Sequence, residues 1–185
     1  VSINSPSEDN YIDAGNVTNS IASAVEGGTT NKLEVPLALA ANTGVSTAVT
    51  DTIPETGVTV DLSATATVEE GVTNGITYTA TLSGGVAKND ITVTLTNGEV
   101  ITILAGQASG SVSIDSPSED IYIDASTVTN SIASAVEGGT TGKLEAFGLA
   151  ADTSVSTSVT DTIPSPGVTV DLSATATVTE GVTNG

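Results

Sequence analysis

Residues 58–68 read VTVDLSATATV and residues 76–83 read ITYTATLS, apolar and polar side chains alternating through both. A period of two sends neighbouring side chains to opposite faces of an extended backbone. Val58, Val60, Leu62, Ala64, Ala66 and Val68 therefore share one face, as do Ile76, Tyr78, Ala80 and Leu82 in the second stretch. Each is read as a strand with one buried face. ITVTLT (91–96) and EVITIL (99–104) flank Asn97-Gly98, a dipeptide that suits the type I′ turn of a β-hairpin. SGSVSI (109–114) and SVSTSVT (154–160) add two more strands. In STVTNSIASAV (126–136), Val128, Ile132 and Val136 also fit helical spacing, but β-branched and hydroxyl residues favour a strand. About seven short strands in roughly 110 residues predict an all-β, antiparallel immunoglobulin-like β-sandwich.

That length is the period of an internal repeat. Residues 1–34 return almost unchanged at 112–145, an offset of 111, and residues 49–75 return at 159–185, an offset of 110. The joints fall at the proline-bearing DTIPETG (51–57) and DTIPSPG (161–167). The expected organisation is the C-terminal part of a preceding repeat at 1–57, one complete repeat at 58–167, and the first strands of a following repeat at 168–185, cut from a linear array.

Composition restricts what such an array can do. The 185 residues carry 22 acids against three lysines, a net charge of −19, and contain no His, Cys, Met or Trp. With 38% apolar residues the chain folds, but its field repels nucleic acid and anionic membrane surfaces. No apolar run is long enough to cross a bilayer, so no membrane insertion is expected. Nucleophilic catalysis needs a base near neutral pKa, which a chain without histidine or cysteine lacks, and a two-carboxylate hydrolase would want aromatic or basic groups to hold its sugar. The chain is read as not an enzyme. Its aromatic poverty leaves a core of valine, isoleucine, leucine and alanine, and 13 acids against two lysines within 58–167 make bound cations the natural source of added stability.

The acids differ in placement. Asp61 lies on the polar face of its strand and is read as solvated. Asp161 follows Val155, Thr157 and Val159 in the inward parity, and Asp51 holds the same place one copy earlier. An acid turned inward needs a partner. SEDIYIDAS (118–126) and SEDNYIDAG (7–15) crowd further acids into a strand-like run: Asp120 and Asp124 flank Tyr122, Glu119 stands at its mouth, and Asp9 and Asp13 are the earlier equivalents. Glu70 and Glu180 occupy an EG turn after the first strand.

Only oxygen is on offer, which suits a hard cation taking six to eight oxygen ligands and not zinc, so Ca²⁺ is the expected metal. The candidate ligands are Asp9, Asp13, Asp51, Glu70, Glu119, Asp120, Asp124, Asp161 and Glu180. No EF-hand loop or glycine-rich calcium nonapeptide is present.

GVTVDLSATATVEEGVTNGITYTATL (57–82), VTLTNGEVITILAGQASGSVSI (93–114), SEDIYIDAS and VTDTIP together resemble the tandem immunoglobulin-like extender repeats of giant bacterial repeats-in-toxin adhesins, and the order EEG…ITYTATLSGG…SVSI is similar to Calx-beta modules. The resemblance implies type I secretion, an extracellular location on the bacterial surface, and a part in biofilm formation and attachment. It also implies calcium rigidifying the joints, with junction roles for Asp51, Asp161, Glu70 and Glu180, and neighbouring repeats as partners while other domains bind the adhesive ligand. Asn10 in place of Ile121 and the shortened segment around Phe147 depart from a uniform repeat. A calcium-dependent glycan-binding module and a self-assembling extracellular fibre subunit are the alternatives.

Overall fold

The computed structural model describes residues 2–13, 15–52, 57–164 and 166–181. Parts of both expected joints (53–56 and Ser165) and the end of the following copy (182–185) lie outside the described residues. The elements in chain order are β1 (Asn16–Ser20), β2 (Gly44–Ala48), β3 (Thr59–Ala64), β4 (Thr67–Glu69), β5 (Ile76–Ser83), β6 (Ile91–Leu95), β7 (Val100–Ile103), β8 (Ser109–Ile114), β9 (Thr127–Asn130), β10 (Ile132–Glu137), β11 (Gly148–Leu149) and β12 (Val155–Thr160). Among the described residues there is no helix, and hence none long and apolar enough to cross a membrane.

The fold is all-β, an immunoglobulin-like β-sandwich. Its strands form sheets in the orders β11-β3-β5-β8, β10-β6-β7, β4-β12-β9 and β1-β2. The period of two is obeyed: Ile76, Tyr78, Ala80 and Leu82 of β5 are buried, as are Val60 and Leu62 of β3, Ile91, Val93 and Leu95 of β6, and Ile101 and Ile103 of β7. Each buried aliphatic contributes about 1.5–3 kcal/mol, which lets threonine-rich strands hold together without a large aromatic core. Two compact units are distinguished. Unit one comprises Val1–Ser63, Tyr78–Val112 and Asn130–Val155; unit two comprises Ala64–Thr77, Ser113–Thr129 and Ser156–Gly185.

Five expectations need correction. The β6–β7 hairpin exists, with Ile91 opposite Ile103 and Thr94 opposite Val100, but its turn is not type I′. Gly98 has φ +92° while Asn97 does not enter the positive region; the Gly98 N–H donates to the Leu95 carbonyl at 3.0 Å and the Leu95 N–H to the Glu99 carbonyl at 2.8 Å. That is a type I turn closed by a left-handed glycine. The Asn97 carboxamide instead accepts the Glu99 N–H at 3.1 Å, which holds its backbone in the ordinary region.

The run 58–68 is two strands. β3 ends at Ala64, and β4 pairs parallel with β12, Val68 opposite Val159. Parallel pairing also joins β11 to β3, Leu149 opposite Val60, so the sandwich is not purely antiparallel and the segment after Phe147 has a defined path. STVTNSIASAV is extended, as its β-branched content predicts, but it divides at Ser131 into β9 and β10, which belong to different sheets. Finally, residues 118–126 form no strand, and Ile121 and Ile123 are both exposed. Asp120 accepts the Tyr122 N–H at 2.7 Å, a local turn that competes with extended pairing.

The repeat supplies its own control. β1–β2 is the earlier copy of the β9–β12 pairing, with Val17 opposite Thr47. Thr157 and Val159 are fully buried, yet their copies Thr47 and Val49 are exposed and half-buried. The sequence stretches are nearly the same, GVSTAVT at 44–50 and SVSTSVT at 154–160, and the neighbouring strands are not.

Candidate metal centre

In unit two the EG turn comes first. Gly71 has φ +72°, a conformation that favours glycine, and a Cβ added to it would lie 3.1 Å from the Glu119 Cβ. The Glu70 N–H donates to the Thr160 carbonyl at 3.1 Å and the Gly71 N–H to the Pro117 carbonyl at 2.7 Å. These bonds bring the turn against the end of β12 and against the acidic segment. Carboxylate oxygens of Glu70, Asp124 and Asp161 consequently lie within 4.8 Å of one another, the one such set of three acids among the described residues.

Glu70 is only 7% exposed, and its Oε2 is buried without a hydrogen-bond partner, as are Glu119 Oε1 and Asp161 Oδ1. Burial raises the pKa of Glu70, followed by the charge of Asp124, a hydrogen bond with Asp124, and the charges of Asp161 and Glu119. Glu119 is raised too, by burial first and then by Asp161, Asp120 and Asp124. Thr162 donates its hydroxyl to Glu119 Oε2. Every charge acting on these two groups is therefore an acid. Partly buried carboxylates with orphaned oxygens and no cationic neighbour are the donor set of a hard divalent cation, so the residues present fit calcium.

Unit one holds the earlier version. Asp51 Oδ2 accepts the Asp13 N–H at 3.1 Å, Asp9 Oδ1 accepts the Tyr11 N–H at 2.8 Å, and Thr52 donates its hydroxyl to Glu8 Oε2 just as Thr162 does to Glu119. These residues line a cleft of about 460 Å³. The residue matching Glu70 would fall before Val1; a different acid enters from the complete copy. Both carboxylate oxygens of Glu145 are buried without hydrogen-bond partners. Burial, then Glu8, Asp51, Asp9 and Asp13, raise its pKa.

The structure thus brings together Glu70, Glu119, Asp120, Asp124 and Asp161 in one cluster, and Asp9, Asp13 and Asp51 in another. Glu180 lies exposed in its turn, which repeats the geometry of the Glu70 turn with Gly181 at φ +87°. Two members escape sequence reasoning. Glu8 was signalled, being the copy of Glu119. Glu145 was not, because it comes from a distant segment with no acidic neighbours in sequence.

The class in view is an all-β chain with a near-identical internal repeat and carboxylates gathered in each copy. The LapA domain model matches residues 56–162, more than half of the chain, and the chain belongs to the LapA domain family. LapA is a large adhesin of biofilm formation, which makes this an adhesin-related repeat and suggests a cell-surface or extracellular location. No curated protein and no solved structure matches the chain.

Proposed function

We propose that the chain is an extender segment of a large bacterial surface adhesin, its repeats joined end to end and stiffened by Ca²⁺ bound at the joints. One observation carries the reading: half-buried Glu145 of the complete copy has both carboxylate oxygens buried without partners and feels the charges of Glu8, Asp9, Asp13 and Asp51, which precede that copy in the sequence. Five acids crowded together repel one another, and a bound cation would compensate them.

The two clusters are complementary views of one joint. A full joint would combine Glu119, Asp120, Asp124 and Asp161 of one repeat with that repeat's own Glu70 and with the counterpart of Glu145 from the next. Calcium would supply the charge compensation there, holding carboxylates from both sides of the joint. Sites of this extracellular class have dissociation constants on the order of 0.1–1 mM. They would be empty in the cytosol, leaving the chain loose for export by a type I, repeats-in-toxin route, and filled outside the cell. Each repeat would then add about 40 Å, from strands of roughly ten residues at 3.3 Å each plus the joint. The array would carry an adhesive domain away from the surface, and no enzymatic step is involved.

Melting and small-angle X-ray scattering in calcium and then in chelator test this reading. Calcium is expected to raise Tm by several degrees and to lengthen the particle, with isothermal titration giving at least one site. A Tm that stays within a degree, with an unchanged scattering profile, removes calcium from the proposal.

A further inference from the structure

Residues 120–124 present a row of apolar side chains to solvent, Tyr122 being 69% and Ile123 93% exposed. One copy earlier the segment is partly covered: Asn10 and Tyr11 are half-buried, while Ile12 remains 54% exposed. Tyr11, the counterpart of Tyr122, donates its hydroxyl to the Val86 carbonyl at 2.6 Å, and Lys88 Nζ stands 3.6 Å from its ring centroid. The Ile12 N–H donates to the Lys143 carbonyl at 2.7 Å and the Glu145 N–H to the Asn10 carbonyl at 3.1 Å, flanking an antiparallel bridge between Tyr11 and Leu144. Asn10 Nδ2 donates to the Gly84 carbonyl at 2.9 Å, and a Cβ on Gly85 would come within 3.2 Å of that nitrogen. All these residues belong to unit one.

Both sides of the contact are shaped in advance. Asp9 and Asp120 make the same turn, accepting the N–H of Tyr11 at 2.8 Å and of Tyr122 at 2.7 Å. The receiving loop is held by Glu137, whose Oε2 accepts the Leu144 N–H at 2.8 Å; in the earlier copy Glu26 Oε1 accepts the Leu33 N–H at 2.9 Å. Preformed surfaces lose little entropy on docking.

We propose that residues 120–124 are a peg for a following copy of the repeat. Tyr122 takes the carbonyl of that copy's Val86 counterpart and lies beneath its Lys88 counterpart. Ile121 replaces the amide bond of Asn10 with apolar contact against the paired glycines. A contact of this size is far below the roughly 1,000 Å² of a stable interface between free chains, and it works here because covalent linkage supplies an effective concentration of about millimolar. The inference rests on the extender reading in needing a following copy, and it is independent of calcium.

Tyrosine nitration by tetranitromethane, followed by mass spectrometry, tests it in chelator. The 185-residue chain is compared with a longer one in which residues 76–167 follow Gly185, a natural continuation because 181–185 repeats 71–75. In the shorter chain Tyr122 is expected to react faster than Tyr11; in the longer one it slows by about tenfold and its own counterpart becomes the reactive tyrosine. Unchanged reactivity of Tyr122, with the added counterpart of Tyr78 protected as a core residue, overturns the peg. Amide exchange in the 185-residue chain examines the template directly. The amides of Ile12 and Glu145 should exchange slower than that of Ile123, and equal rates overturn the proposal however the added copy behaves. Loss of the calcium response with Tyr122 protection retained would remove the metal and leave the peg.

Discussion

A Cβ placed on Gly71 would stand 3.1 Å from the Cβ of Glu119, so the glycine is what lets the Glu70 turn lie against the acidic segment. Its φ of +72° adds a second requirement. Gly71→Ala should cost about 1–2 kcal/mol from the left-handed backbone alone, more with the close approach. At roughly 4–8 °C per kcal/mol for a domain of this size, thermal melting will read it. A melting temperature unchanged within a degree would mean the turn is not held in this geometry.

Glu137 is a buried acid with a structural duty. It accepts the Leu144 N–H at 2.8 Å and the Asn89 side-chain amide at 3.2 Å. Glu137→Ala leaves the Leu144 N–H without its acceptor and Asn89 Nδ2 with only the Thr141 carbonyl, and should cost about 2–4 kcal/mol, whereas Glu137→Gln keeps one acceptor and should cost less than half as much. Chemical denaturation of the two variants checks the order, and equal losses would contradict it.

The pKa values of Glu70, Glu119 and Glu145 are all raised above the ordinary 4.5 in the folded chain. Between that value and the raised folded one, the native state binds more protons than the unfolded state, so these groups lower stability as pH rises through the window. In chelator, melting temperature should therefore climb as pH falls from neutral toward 4.5 as far as these three acids are concerned. Saturating calcium should reverse the slope, because acid then displaces the cation. A metal-free melting temperature that drops steadily with acid would contradict the prediction.

Glu70→Gln should likewise change sign with the cation. Without calcium it removes a buried charge facing Asp124 and Asp161 and should raise Tm by a few degrees. With calcium it removes a ligand and should abolish most of the calcium-induced rise. The same shift in both conditions would mean that Glu70 has no part in a cation site.

Much of the fold was legible in sequence, for a definite reason. Burial on one face of a strand imposes a period of two, and β5 keeps it without exception from Ile76 to Leu82. The Asp161 position was legible on the same ground, since parity carried it inward after Thr157 and Val159. Alternation misled at SEDIYIDAS, read as a strand-like run: it reflects no buried sheet, and the Asp120 side chain accepts the Tyr122 N–H in a local turn. Asn97-Gly98 was legible as a turn but not as to its type, which depends on whether the asparagine side chain or its backbone absorbs the bend.

By itself, the amino-acid order determined a tandem all-β module, the strands that carry its core, and a surplus of carboxylates with oxygen as the sole ligand chemistry. Which acids meet was decided only by the tertiary structure. Glu70 reaches Asp124 and Asp161 through the pairing of β4 with β12, and Glu145 reaches Asp51 through a bridge from Leu144 to Tyr11. Those approaches depend on backbone hydrogen bonds between segments far apart in the chain, and local periodicity records which face a residue takes, not what lies across from it.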